Sequence, residues 1–345
     1  MPARHPISLA LVGATGTIGR TVLDVLDDLD VPVHALRAFA SPRSVNTTLA
    51  FRGDDVRVEA LREGAFRSSE VAIFCAGAEV SREWAPRAWA EGCAVVDDSP
   101  AFRVEPDVPL VVPEVNAPAL AGYRARGVVA NPSSSATGLA VVLAPLRAAA
   151  GLRRVVVATY QSVSGLGQGG VESLEREARD LLNLREPEPA ARFPHRIAFN
   201  VIPQVGPIGE DGVSEGEARL ALELRKLLGD EALRVTSTAV RVPVFFGHAA
   251  AVNVETARKL GAAEARELLR KAPGVKVVDE PAARIYPMPM LVANEDAVLV
   301  GRIRDDPSQE NGLDLFFALE NTRKGAATNA VQIAAALAER HLSPR

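Results

Sequence analysis

The first apolar run, Ile7-Ser8-Leu9-Ala10-Leu11-Val12, is followed by Gly13-Ala14-Thr15-Gly16-Thr17-Ile18-Gly19 and then by the helix-like stretch Arg20 to Leu29. Similar short apolar runs recur at Val33 to Phe39, Val71 to Phe74, Ala94 to Asp97, Leu110 to Val112 and Val128 to Ala130, with a helical pattern at Ser81 to Glu91. Strands alternating with helices predict a mostly parallel sheet covered on its faces by helices. After Ala130 the pattern changes. A helix is predicted over Ser135 to Ala150 and a strand over Arg153 to Ser162, followed by the glycine-rich Ser164 to Gly170. Helices at Glu215 to Leu228 and Ala262 to Lys271, extended runs at Arg234 to Phe246 and Leu313 to Leu319, and an alanine-rich helix at Lys324 to Leu342 complete the series. Strands and helices interleave less regularly here, which predicts an α+β unit on an antiparallel or mixed sheet.

The reading is therefore a two-domain α/β chain: a Rossmann-type doubly wound domain over residues 1–130, joined by a closing helix over 324–345, and an α+β domain over 131–323. The length of 345 residues agrees with two domains of ordinary size. Composition adds mainly exclusions. With 48% hydrophobic and 24% charged residues the chain is of average globular make-up, and its mean hydropathy is +0.08. A net charge of -4 lacks the basic excess of a nucleic-acid binder. The run Ile7 to Val12 is far shorter than the roughly 20 residues that span a bilayer and leads straight into glycines, so neither membrane insertion nor secretion is expected. The two cysteines, Cys75 and Cys93, have neither zinc-site nor disulfide spacing. A reducing cytoplasm and no metal are the expectations.

The glycine loop carries the first candidate chemistry. Glycines between a strand and a helix let the backbone turn tightly and approach a pyrophosphate, while free N–H groups at the helix start bind its charge. Gly13, Thr15, Gly16, Thr17 and Ile18 are the candidates, although the spacing is GxxGxxG and not GxGxxG. Where a second strand would offer a carboxylate to an NAD ribose, Ala40-Ser41-Pro42-Arg43-Ser44 offers none. Ser41, Arg43 and Ser44 suit a 2′-phosphate, which favours NADP over NAD. Ala76 and Gly77 sit after another strand, at the end of such a sheet where ligands bind. Cys75 beside them reads as a structural thiol in preference to a reactive one.

Further stretches stand beside Gly13 to Gly16 and Ala40 to Ser44: Ala101-Phe102-Arg103, Val111-Val112-Pro113-Glu114-Val115-Asn116, Tyr160-Gln161-Ser162-Val163-Ser164-Gly165, Arg241-Val242-Pro243-Val244, Gly247-His248 and Asn321-Thr322-Arg323-Lys324-Gly325. On these stretches the chain resembles aspartate-semialdehyde dehydrogenase over nearly its whole length. The resemblance implies a cysteine nucleophile that forms a thioester, hydride exchange with NADP, and phosphate that attacks or leaves. It also implies a homodimer or tetramer. Gln161 would orient the substrate, Arg241 would clamp its carboxylate, and His248 would be the general acid and base. Arg103, with Arg219, would hold phosphate, while Ser164, Gly165 and Asn321 would lie near the nicotinamide. The residue types suit these tasks: an Arg fork grips a carboxylate through two parallel bonds, and a histidine titrates near neutrality. Singly, each has a duller reading: His248 as a structural histidine, Arg241 in an ion pair, Gln161 bonded to strand-end backbone.

Three departures qualify the resemblance. The family's Asn-Pro-Asn-Cys-Ser segment is Asn131-Pro132-Ser133-Ser134-Ser135, so the nucleophile position is Ser134. A helix terminus is worth at most about 2 kcal/mol, or roughly one and a half pKa units. That activates a thiol but leaves an alcohol protonated. Where the family opens a helix with Glu-Glu-x-Lys, this chain has Gly216-Glu217-Ala218-Arg219, and Val45-Asn46 replaces the Gly-Lys of the cofactor loop. The expectation is a family member of very low or absent activity that still binds NADP and a small anion. The alternatives are a non-catalytic regulatory paralogue and an acyl-enzyme hydrolase using Ser134 and His248.

Overall fold

Strand β1 (Ile7–Val12) is buried along its whole length, so its sequence shows no polar alternation. Its one polar residue, Ser8, is satisfied by the carboxylate of Glu70, which accepts from the Ser8 N–H at 2.9 Å and its hydroxyl at 3.0 Å. The computed structural model describes residues 6–188 and 192–342. Its chain divides into two units, Met1–Ser133 with Ala326–Arg345, and Ser134–Gly325.

In the first unit β1 leads through the glycine turn into α1 (Thr17–Asp28). There follow β2 (Val33–Phe39), β3 (Thr48–Phe51), β4 (Asp54–Glu59), β5 (Val71–Phe74), α2 (Ala78–Ala90), β6 (Ala94–Asp97), the single turn α3 (Pro113–Asn116) and β7 (Val128–Ala130). The strand order is β3-β4-β2-β1-β5-β6-β7, parallel throughout except that β3 runs antiparallel to β4. The chain moves from β1 to β2 on one side and later to β5 on the other. That reversal opens a crevice at the carboxyl ends of β1 and β5, where ligands of doubly wound sheets sit. Val22, Leu23, Val25 and Leu26 of α1 form one core with Leu9, Leu11, Val71 and Ile73 of the sheet.

The approach of α1 to β1 is set by Gly19. A Cβ there would lie 2.3 Å from the Gly13 carbonyl oxygen and 2.7 Å from the Ala14 Cα, both backbone atoms that cannot swing aside. Gly19→Ala is therefore expected to cost at least about 2 kcal/mol of stability by overpacking and to weaken dinucleotide binding with it. Urea unfolding and a cofactor titration of the variant check both effects.

The second unit begins with α4 (Ser134–Ala150) and continues with β8 (Leu152–Gln161), α5 (Gln168–Leu182), α6 (Glu215–Leu228), β9 (Arg234–Arg241), β10 (His248–Thr256), α7 (Ala262–Arg270), β11 (Val275–Val277), β12 (Val298–Asp305) and β13 (Gly312–Leu319). Its sheet is mixed, in the order β11-β12-β13-β10-β8-β9, with parallel pairs only at β11/β12 and β8/β9. Every residue of α4 from Ser135 to Leu143 is buried, which accounts for an apolar helix without an amphipathic stripe. The chain then returns to the first unit as α8 (Thr328–Arg340), whose Ala330, Val331, Ile333, Ala334 and Leu337 join the β1–α1 core.

Several expected bounds change. The run Leu110 to Val112 is not a strand; Leu110 makes a single bridge to Ala130. The extended run from Arg234 stops at Arg241, because Val242 begins a turn continued by Pro243, which has no N–H to donate. The closing helix starts at Thr328 and not at Lys324; Arg323–Ala327 forms a wider π-type turn. No helix among the described residues is long and apolar enough to cross a membrane.

Candidate active site

The polar residues of the second unit converge because of strand register. β8 and β9 run parallel with Gln161 opposite Arg241, so both side chains leave the sheet at the same edge. β10 runs antiparallel to β8, and His248 at its start is one pair from Tyr160–Ala249. On the other side His248 pairs with Leu319, two residues before Asn321. Gln161, Arg241, His248 and Asn321, scattered over 160 positions of sequence, thus meet at one end of one sheet.

Arg241 is only 5% exposed. Its Nη1 donates to the Ser162 carbonyl at 2.8 Å, and among the described residues it has no carboxylate partner. Burial lowers its pKa to about 10, so it stays charged at neutral pH. A buried guanidinium without a counter-charge is costly unless an anion completes it. His248 is 4% exposed. Burial, reinforced by the charge of Arg241, pushes its pKa down to about 3, and the imidazole is neutral. Its Nδ1 lies 3.1 Å from the Ser162 hydroxyl.

Gly165 is the window between these groups. A Cβ there would lie 2.6 Å from Arg241 Nη1, 3.3 Å from His248 Cε1 and 3.4 Å from Nε2. Only a residue without a side chain leaves both cationic fork and imidazole edge open to the same space. Gln161 lies at the rim, its Nε2 donating to Thr159 Oγ1 at 3.2 Å. Ser134 is the first residue of α4, and its hydroxyl donates to the Asn321 carbonyl at 3.1 Å. Gly325 closes over it, so tightly that a Cβ there would come within 2.6 Å of Ser134 Cβ. Asn321 links the set: its Oδ1 accepts from Ser162, Ser164 and the Gly247 N–H at 3.1, 3.1 and 3.0 Å. Sequence reasoning assigned no role to Ser162, the residue between His248 and Asn321.

Arg219 stands apart from this network, ion-paired to Glu215 on the preceding turn of α6. Glu217 is spent on structure: its carboxylate completes a capping box with Ser214 and accepts the Ala239 N–H at 2.8 Å. At Gly216 a side chain would meet the Val205 carbonyl oxygen at 2.8 Å.

The other candidates belong to the first unit. Gly13, Thr15, Gly16, Thr17 and Ile18 surround the start of α1, where neither a side-chain cap nor an acidic residue takes the helix's free N–H groups. An open, uncapped helix start after a glycine turn fits a dinucleotide pyrophosphate. Thr15 and Ser44 touch through their hydroxyls at 3.3 Å, which joins this loop to the turn Ser41, Pro42, Arg43 and Ser44. Arg43 is exposed. Glu59, which pairs with Phe39 at the end of β2, is held by Arg37 through Nη2 at 2.9 Å to both oxygens. Ala76 and Gly77 are exposed just before α2. The Cys75 thiol is raised well above its ordinary pKa by burial and by Asp98 and Asp97. It is the protonated, unreactive form expected of a structural cysteine. Arg103 is buried, donating to the carbonyls of Asn131 at 2.8 Å and Asp98 at 2.7 Å. No group of three or more metal-binding side chains occurs among the described residues.

A doubly wound dinucleotide fold is thus joined to a mixed-sheet unit that holds a buried cation, a neutral histidine and a helix-terminal hydroxyl, the make-up of a two-domain dehydrogenase class. Residues 8–123 match the family described as semialdehyde dehydrogenase, NAD binding domain, and residues 143–324 match semialdehyde dehydrogenase, dimerisation domain. Aspartate-semialdehyde dehydrogenase of Aquifex aeolicus is 44% identical over 97% of this chain and 98% of its own, and that of Legionella pneumophila 45% over 96% and 95%. The crystal structure of aspartate semialdehyde dehydrogenase II from Vibrio cholerae complexed with ASA superposes with a TM-score of 0.95 at 40% identity, covering 98% of this chain and all of that one. The chain belongs to the aspartate-semialdehyde dehydrogenase family.

Proposed function

We propose that this chain is an NADP-binding member of the family, working in a reducing cytoplasm, that holds a small carboxylate substrate and carries out the family's reaction very slowly or not at all. That reaction converts aspartate semialdehyde, NADP and phosphate to aspartyl phosphate and NADPH. The observation that carries the reading is the buried Arg241, which has no carboxylate partner among the described residues and is open through Gly165 beside the neutral His248. Arg241 would grip the substrate carboxylate, Gln161 would orient the reacting carbon, and Nε2 of His248 would take and return protons. Bound NADP would supply a hydride acceptor. Arg103 and Arg219 are the candidates for phosphate. Ser134 occupies the position of the family's cysteine, and an alcohol there forms at best an oxygen ester, a poorer acyl donor to phosphate than a thioester.

Against the hydrolase alternative, the Ser134 hydroxyl donates to the Asn321 backbone carbonyl and not to a base, and a serine nucleophile is activated only when a base takes its proton. Self-association is the expected role of the second unit's sheet face, where a cavity of about 580 Å³ is lined by Val156, Ala158 and Phe316 with Arg302, Arg304 and Asp314.

Calorimetric titration with NADP and NAD, beside a phosphate-dependent reduction assay, tests the reading. NADP binding with little turnover is expected; turnover at an ordinary enzyme rate would overturn the reading of Ser134. Arg43→Glu should weaken NADP at least about tenfold and leave NAD little changed, since one charge-assisted phosphate contact is worth roughly 1.5–3 kcal/mol.

A further inference from the structure

The hydrogen-bond pattern around Asn321 reaches beyond a contact with a cofactor. The Gly247 N–H can only donate, so the side-chain atom it faces at 3.0 Å must be the carboxamide oxygen. This fixes which way the amide points. Both serine hydroxyls lie 3.1 Å from that oxygen and 2.9 Å from each other, and the Ser162 oxygen lies 3.1 Å from His248 Nδ1.

Each hydroxyl has one proton. If His248 carries its proton on Nδ1, it donates to Ser162, Ser162 donates to Asn321 or Ser164, and Ser164 donates to Asn321 or Ser162. Three protons then make three bonds. If His248 carries its proton on Nε2, the Ser162 proton must turn to Nδ1. Only the Ser164 proton remains for the others, and the cluster makes one bond fewer. In a buried site the arrangement with every proton placed is preferred, and the bonds of such a chain reinforce one another.

We infer that Asn321, acting through Ser162, is a positioning residue that holds neutral His248 as the Nδ1–H tautomer and so presents an unprotonated Nε2 at the Gly165 window. The imidazole does not choose its own base nitrogen. The carboxamide oxygen, pinned by Gly247, sets the direction of the whole chain of donors. Nε2 makes no hydrogen bond among the described residues, and a substrate carboxylate on Arg241 would lie beside it. The Asn321 amide nitrogen makes no hydrogen bond among the described residues either. The role of Nε2 as the working base rests on the proposed function; the tautomer itself does not.

Nitrogen-15 NMR of histidine-labelled full-length protein near pH 7 tests the inference without altering the cluster. His248 is assigned among the five histidines by its absence in His248→Gln. The expected signature is a protonated Nδ1 and a pyridine-like Nε2. A protonated Nε2 would overturn the inference whatever the enzyme's activity. Ser162→Ala, which removes the acceptor but leaves the fold contacts of a small side chain, should convert the signal to Nε2–H or to a mixture of tautomers. An unchanged signal in that variant would also overturn it. In a Ser134→Cys background, Ser162→Ala and Asn321→Ala should lower kcat at least tenfold with KM for the semialdehyde changed less than threefold, whereas equal losses in both would mean a merely structural role. If Ser134→Cys itself is inactive while the parent shows Nδ1–H, the functional reading fails and the tautomer assignment stands.

Discussion

Ser134→Cys is expected to raise phosphate-dependent reduction of NADP by aspartate semialdehyde at least about a hundredfold, which corresponds to roughly 2.7 kcal/mol of transition-state stabilisation. Position 134 opens α4, so the side chain sits where the helix's free N–H groups concentrate partial positive charge. That field lowers a thiol of ordinary pKa near 8.5 by up to roughly one and a half units, which raises the thiolate fraction at neutral pH. It does nothing useful for an alcohol. The two parts of the site already converge on Asn321, whose carbonyl takes the Ser134 proton and whose carboxamide anchors the histidine cluster. If the variant gains nothing, the substrate site itself has changed. Gly216 is then the first suspect, since Val205 closes the space a carboxylate there would need. Steady-state rates of parent and variant at matched NADP and phosphate decide between the two.

The second large effect concerns acid stability. His248 has a folded pKa near 3 against an unfolded value near 6.5. Above pH 6.5 both states are neutral and the residue contributes nothing to the pH dependence. As pH falls from 6.5 toward 3, the unfolded chain binds a proton that the folded chain refuses, and stability drops by up to about 5 kcal/mol. His248→Asn removes this drain but also weakens the bond to Ser162, at a cost of roughly 1 kcal/mol. The two proteins should therefore cross over. The parent is the more stable at pH 8, and the variant by about 2 kcal/mol at pH 4. Urea midpoints across this range check the crossing; parallel curves would mean that His248 is protonated in the folded state. An anion bound to Arg241 removes part of the opposing charge, so small carboxylates should raise the histidine's pKa and shift the crossing to lower pH.

The elements legible in the sequence are those whose signal is local. The β1–glycine–α1 unit can be read because the apolar run, the glycines and the amphipathic period of Val22, Leu23, Val25 and Leu26 occur within some twenty residues. The β3/β4 hairpin was missed because its strands are short and bury little: Leu49 and Phe51 in the four residues of β3, and only Val58 in the six of β4. β10 was missed because His248 at its start is followed by Ala249, Ala250 and Ala251, which have weak strand preference and owe their extended form to neighbours on both sides. Gln161, Arg241, His248 and Asn321 could be named from the family resemblance. Their meeting point could not be derived, because it depends on the parallel register of β8 and β9 across some eighty residues. Ser162 was overlooked for a related reason. A serine at a strand end has many ordinary uses, and only the proton count around Asn321 distinguishes this one.

The Arg37–Glu59 pair bears on how the cofactor preference can evolve. Under the proposed NADP reading, loss of Arg43 would weaken the phosphate contact without creating a ribose contact, because Glu59, which pairs with Phe39 at the end of β2, is already held through both its oxygens by Arg37. A lineage drifting from one nicotinamide to the other would have to pass through a form that binds neither well. The Arg37–Glu59 pair thus acts as a ratchet on specificity, and it would persist even in a chain that no longer turns its substrate over.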